Sequence, residues 1–385
     1  MGRFVYGETA DMDPLLLFGF VFLSLALSYF QIRQRQSYAF MNVAVLVFYV
    51  LLIASRSIDG SADTPLYVDE YKSISLLQIY TPNTIDTVYR YEYGYTLFSQ
   101  LIKFIFGNDT TVFFGIIALL QTICVYFGFR NFLEMFHKDR RVTLLFLPFL
   151  TIYMAVAGFM YNGIVLRAGI AISLQFLATS LILKRQYVAG IFLLGISLFF
   201  HNTAFIGLLA LLILFFHKKY SFKVYYWYLA AFLGLYIMKV HVWLSSLTSS
   251  SLIVLLSSNN DQTTSKLSNY LSNSSESASS YSIFIFLNFL LSALAIRYAD
   301  LSKDIVQRLI KINLFSTGFL ALMSAIPIVS RVFDYFIIFN VALFYMCFIQ
   351  KYTIYRGIVF FVLVVALLFR FYQLALEPYK FYLNE

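Results

Sequence analysis

Residues Tyr161–Ala204 read YNGIVLRAGIAISLQFLATSLILKRQYVAGIFLLGISLFFHNTA. Two apolar runs, 165–183 and 188–200, flank the short basic turn Lys184-Arg185-Gln186. The pattern predicts two membrane helices folded back on each other, with the basic turn on the cytoplasmic side. Folding back there carries Arg167, near the start of the first run, to the level of His201, which ends the second. A cation and a titratable imidazole are then expected together at the outer membrane face. An Arg just inside an apolar span costs about 2.5–3.5 kcal/mol at the bilayer centre, and less near an interface. That cost calls for a partner, and an anionic ligand is one. The alternative is that Arg167 snorkels to the interface while His201 marks a helix boundary.

The whole chain has the same character as this hairpin. It is 61% hydrophobic and 12% charged, with a mean hydropathy of +0.78. Those values exclude a soluble domain and define an all-α polytopic membrane protein, because apolar runs in a bilayer satisfy their backbone only as helices. The net charge of +9 does not point to nucleic acid, since the basic residues sit in short turns between apolar runs. Cys124 and Cys347 both fall inside apolar runs, so no disulfide framework is expected.

Apolar runs at 14–32, 38–55, 111–129, 142–158, 165–183, 187–201, 203–216, 225–243, 282–298, 309–326, 332–350 and 356–375 predict about twelve spans. Several fall short of the roughly 20 residues of a perpendicular span, and the division at His201-Asn202 is the least defined. An acidic start (Glu8, Asp11, Asp13) followed by Arg33 and Arg35 predicts an outer N-terminus and an uncleaved first helix. With that orientation the basic turns, such as Arg140-Arg141, Lys184-Arg185 and Lys218-Lys219, all fall on the cytoplasmic side. The chain therefore reads as one integral membrane domain, 1–385, carrying two long outer loops. The first, 56–110, concentrates Arg56, Asp59, Asp63, Asp69, Glu70, Asp86, Arg90 and Glu92 among tyrosines, and its 95–106 stretch has the pattern of a short amphipathic helix. The second, 244–281, is dominated by Ser and Asn and lacks the composition to build a core.

A second outer Arg returns late in the chain, at Ser330-Arg331, just after Ile326-Pro327. Arg56, Arg167, His201 and Arg331 thus come from four different spans and are expected on one face. Several guanidiniums around one cavity suit a phosphate or diphosphate, since each offers a planar fork of donors at fixed charge. A lipid-linked diphosphate is the membrane ligand that needs such a cavity, and stabilising its departing charge is electrostatic catalysis. Asp63, Asp69 and His201 are the candidates for a base that activates a sugar hydroxyl. Tyrosines 80, 89, 91, 93 and 95 are placed either to stack on sugar rings or to form an interfacial belt. No cofactor is required. Asp59 and Asp63 have oxygen donors that suit a divalent cation, but two loop carboxylates do not establish one.

Four stretches resemble the EpsG-like polysaccharide polymerases of the Wzy type. They are Arg56 with Asp63-Thr64-Pro65-Leu66-Tyr67; Glu92-Tyr93-Gly94-Tyr95; Asn162 and Arg167-Ala168-Gly169 through Phe200-His201-Asn202; and Ser330-Arg331 with Tyr335-Phe336. In one respect the hairpin departs from that pattern, which usually has Gln after the Arg where Ala168 stands here. The resemblance implies a fold related to membrane-embedded C-type glycosyltransferases in the bacterial inner membrane, with its site facing the periplasm. The implied substrate is an undecaprenyl-diphosphate-linked oligosaccharide, and the implied partners are the bilayer, a chain-length regulator and a flippase. The implied roles are diphosphate binding by Arg56, Arg167 and Arg331, and acceptor activation by Asp63, Asp69 or His201. Asn162, Arg90, Glu92, Tyr93 and Tyr335 are the implied substrate contacts. A lipid-linked oligosaccharide flippase, an O-antigen ligase and a membrane acyltransferase are the alternatives. Against the flippase, the charge is stacked at the outer mouth and no internal repeat is visible.

Overall fold

The computed structural model describes residues 14–34, 36–55, 64–74, 92–136, 145–215, 218–246, 283–325 and 333–349, and every regular element among them is helical. The described residues divide into two units, one running up to Ala204 and the other from Phe205 onward.

In the first unit, α1 (Pro14–Gln34) and α2 (Ala39–Ala54) precede two helices of the first long loop, α3 (Thr64–Ser73) and α4 (Tyr93–Phe106). Then come α5 (Thr110–Phe136), α6 (Phe146–Tyr153), α7 (Phe159–Gly163), α8 (Leu166–Leu183) and α9 (Tyr187–Phe200), with a π turn, Met154–Gly158, joining α6 to α7. Four helices among the described residues are long and apolar enough to cross a membrane: 110–136, 146–163, 166–183 and 304–323. Apolar helices of 10–17 residues stand at 39–54, 187–200, 202–215, 285–298 and 333–347, which at ~1.5 Å per residue are shorter than a typical hydrocarbon core of ~30 Å. The run at 356–375 lies outside the described residues.

The hairpin α8–α9 closes through Lys184 and Arg185. Arg185 N–H bonds the Ile182 carbonyl at 2.9 Å and Gln186 N–H the Leu181 carbonyl at 2.9 Å, while Arg185 itself takes φ 66°. This is the bond pattern that ends a helix in a left-handed residue, with Arg in the place glycine usually takes. At the same end Lys184 Nζ reaches Glu134 Oε2 at 2.7 Å and Asn131 Oδ1 at 3.0 Å, pinning α8 to α5. Polar pairs also join α1 to α6, where Ser28 Oγ and Thr151 Oγ1 lie 2.7 Å apart. Such side-chain bonds are the specific contacts available between helices when both faces are apolar.

The second unit contains α10 (Leu208–Phe215), α11 (Phe222–Ile237), α12 (Ile283–Tyr298), α13 (Asp304–Met323) and α14 (Phe339–Ile349). After α11 the chain bends by 61° into a short helix, Val240–Ser246. Buried pairs Asn313–Asn340 at 3.0 Å and Ser292–Thr317 at 2.9 Å tie α13 to its neighbours.

Helices α3 and α4 are not a loose excursion from the first unit. The buried positions of α3 are Thr64, Tyr67, Val68 and Tyr71, the i, i+3, i+4, i+7 stripe of an amphipathic helix. Tyr67 packs on Tyr95 with ring centroids 5.7 Å apart, and Tyr71 stacks on Phe113 of α5 at 4.2 Å. The Tyr71 hydroxyl donates to the Gly107 carbonyl at 2.6 Å. Lys103 of α4 then closes the end of α3, donating to the carbonyls of Tyr71 (3.1 Å), Lys72 (2.8 Å) and Ile74 (2.7 Å). An ammonium at a helix C-terminus satisfies orphan carbonyls and complements the helix dipole.

Candidate functional site

The N-terminus of α4 meets the C-terminus of α9 at Gly94. A Cβ built on Gly94 would lie 2.7 Å from the Phe199 carbonyl oxygen and 2.8 Å from the Phe199 Cβ. Only a residue without a side chain allows this approach. The close contact brings Glu92, the residue capping α4, to His201, the residue ending α9.

Glu92 makes no side-chain cap on its own helix. Its carboxylate bridges two other elements instead. Oε1 accepts from His201 Nδ1 at 2.7 Å and from the Asn202 N–H at 3.4 Å. Oε2 pairs with Arg167 Nη1, from the first turn of α8. The Tyr67 hydroxyl of α3 is a second hydrogen-bond partner of that guanidinium. Four elements therefore supply one polar cluster: Tyr67 from α3, Glu92 before α4, Arg167 from α8 and His201 after α9. The side chains of Arg167 and His201 are each 22% exposed and that of Glu92 is 11% exposed, so the cluster is sheltered yet reachable.

The electrostatics follow from this geometry. Burial works against an ionised Glu92, but the His201 hydrogen bond and the Arg167 charge outweigh it and hold the carboxyl down at about 2. Glu92 is therefore an anion, and the His201 nitrogen facing it is the one that carries a proton. Among the described residues His201 Nε2 has no hydrogen-bond partner. The Arg167 charge stands at the N-terminus of α8, where a cation is disfavoured by the helix dipole and an anion welcomed. Glu92 supplies the anion that pairs with it.

The other residues singled out in the sequence fall in different surroundings. Asp69 lies on the exposed face of α3 and makes no hydrogen bond or ion pair among the described residues. Its neighbour Glu70 turns inward, where Thr96 Oγ1 lies 3.5 Å from Glu70 Oε1. Tyr93 is 52% exposed on the first turn of α4. Asn162 is fully buried. Its Oδ1 accepts from the Tyr153 hydroxyl at 2.8 Å, and its Nδ2 lies 3.1 Å from both the Tyr49 and Thr122 hydroxyls. It thereby joins α2, α5, α6 and α7. Tyr335 is buried within the second unit. Arg56, Arg90, Arg331 and Asp63, and with them the Asp59–Asp63 pair considered for a divalent cation, lie outside the described residues. So does 247–281, most of the Ser/Asn-rich loop.

Two parts of the site were not read from the sequence: the helix α3, and the role of Glu92 as the link between Arg167 and His201. The first carried a signal, the Thr64, Tyr67, Val68, Tyr71 stripe. The second joins residues 75 and 109 positions apart and has no local pattern.

A chain whose described elements are all helical, several of them able to cross a bilayer, and which carries a sheltered Arg–Glu–His cluster at the ends of apolar helices, is a polytopic membrane protein with a built polar site. The model of the EpsG family matches residues 39–383, nearly the whole chain, and the protein belongs to that family, the EpsG-like polysaccharide polymerases. No curated protein and no solved structure matches it.

Proposed function

We propose that this protein polymerises a surface polysaccharide at the outer face of the bacterial cytoplasmic membrane. It joins oligosaccharide repeat units carried on undecaprenyl diphosphate, moving the growing chain from its lipid carrier onto a sugar hydroxyl of the next unit. The observation that carries this reading is the convergence of Arg167 and His201 on Glu92 in a chain of this family. Arg167, at a helix N-terminus, suits the charge on the leaving diphosphate. Arg56 and Arg331 are proposed as further diphosphate ligands, and Asp63, Asp69 and His201 as the groups from which the acceptor base is drawn. Arg90, Glu92 and Tyr93 remain proposed substrate contacts, while Asn162 and Tyr335, both buried in the helix packing, are proposed to act on the substrate only through the residues they hold in place. The same reading takes the chain as about twelve spans with the N-terminus outside.

The test is the fate of the repeat unit in cells lacking the gene. The proposal predicts single units on the outer side, still on their lipid or capped singly onto the final acceptor, with the long polymer missing. Units trapped on the cytoplasmic side would make the protein a flippase. Polymer still made but absent from its final acceptor would make it a ligase, and polymer lacking only an acyl group an acyltransferase.

A further inference from the structure

We infer that His201 is the base that takes the proton of the acceptor sugar hydroxyl, and that Glu92 is the positioning residue that prepares it for this. The inference rests on the polymerase reading and chooses among the groups that reading left open. Its first ground is the geometry of the bridge. The Glu92 carboxylate accepts from His201 Nδ1 at 2.7 Å, which fixes the imidazole with its proton on Nδ1 and its lone pair on Nε2. The ring plane and tautomer are thereby set by a residue from a different element, held there because Gly94 lets α4 close onto Phe199. Its second ground is comparison with Asp69, the other candidate among the described residues. Asp69 is exposed on the face of α3 away from the buried stripe, and no described residue hydrogen-bonds or pairs with it to orient it. His201 is sheltered, oriented and on the same carboxylate as the guanidinium.

The step balances without a further reactant. The acceptor O–H gives its proton to His201 Nε2, and the oxygen electron pair forms the new bond to the anomeric carbon of the donor. The bond from that carbon to the diphosphate oxygen breaks, its electron pair leaving with the undecaprenyl diphosphate, whose growing negative charge lies towards Arg167. The imidazolium then has a carboxylate on its far side, which stabilises the charge it has gained. Among the described residues, the charged and titratable groups next to the bridge are Arg167 of α8 and Tyr67 of α3, with Glu70 of α3 beyond Thr96.

The experiment uses washed membranes carrying the full-length chain. They are supplied with lipid-linked single repeat units extracted from cells of the same strain that lack the gene, and the rate of polymer formation is followed against the concentration of units. His201→Ala is expected to lose about 10²–10⁴-fold in rate at unchanged abundance in the membrane, the range for a removed acid–base group. External imidazole is expected to restore part of that rate. Glu92→Gln keeps the shape but not the charge. It is expected to lower the maximal rate about 10–100-fold while leaving the affinity for the repeat unit within about twofold, because the imidazole loses the carboxylate that orients it. A merely structural Glu92 would lower membrane abundance and affinity for the repeat unit together with the rate. Polymer formed by His201→Ala at the wild-type rate, or an unchanged maximal rate in Glu92→Gln, overturns the inference while leaving the polymerase intact. Absence of polymer from wild-type membranes overturns the polymerase reading, and this inference with it.

Discussion

Arg167 and Glu92 show what a single charge requires in an apolar chain. A guanidinium near the start of a membrane helix demands an anion, and the protein supplies one from a loop helix 75 residues away. The proposed diphosphate would meet the same guanidinium, so Arg167→Ala is expected to abolish polymer formation. Arg167→Lys should also fall by at least about tenfold, because a point charge does not reproduce the two-pronged fork. Both are read as polymer length on a gel at matched protein abundance. Glu92 also makes a prediction about stability. With the folded carboxyl held at about 2 against an ordinary 4.5, its contribution is complete above pH 4.5 and is lost as the pH falls towards 2. The melting temperature of the detergent-solubilised wild type should therefore drop more between pH 6 and pH 3 than that of Glu92→Gln, to an extent limited by the partial exposure of the pair.

At the scale of the element, the site depends on how α4 is held. Gly94 has no room for a methyl group against the Phe199 backbone. Gly94→Ala should cost about 1–3 kcal/mol as an overpacked contact and part Glu92 from His201, seen as a lowered melting temperature together with lost polymer. Lys103 is the second fixture. Its donation to three carbonyls at the end of α3 is of the charged kind worth about 1.5–3 kcal/mol per bond. Lys103→Met keeps the apolar stem and removes the donor. It should speed hydrogen exchange across Thr64–Ser73 while leaving α8 unchanged. These two helices also show where sequence reading stops. The hairpin was legible because two long apolar runs and a basic turn leave few alternatives, and the structure has its helices at Leu166–Leu183 and Tyr187–Phe200. Helix α3 is ten residues long with polar residues on most of its turns, so its stripe of Thr64, Tyr67, Val68 and Tyr71 was hidden among charges read as a loop. The bridge itself was not legible at all. It depends on which loop residue the packing of Gly94 delivers to His201, and that is decided by tertiary contact.

For the whole molecule, the proposed orientation puts the Arg–Glu–His cluster on the outer side and the Lys184-Arg185 turn inside. Helices α5, α6–α7 and α8 alternate across the bilayer in this arrangement. The chain has just two cysteines, both buried, so a cysteine-free background requires few changes. In that background Asn108→Cys, before α5, should react with a membrane-impermeant maleimide added to intact spheroplasts. Gln186→Cys, in the basic turn, should react only after lysis. The reverse labelling would invert the topology and place the cluster in the cytoplasm.

The most direct test of the account is the polysaccharide made by cells lacking the gene and carrying either the wild-type chain or Arg167→Ala at equal membrane abundance. The account predicts a full ladder from the wild type, and from Arg167→Ala only single repeat units, already delivered to the outer side. A wild-type ladder from Arg167→Ala would contradict it, because the cluster at Glu92 would then have no part in the chemistry.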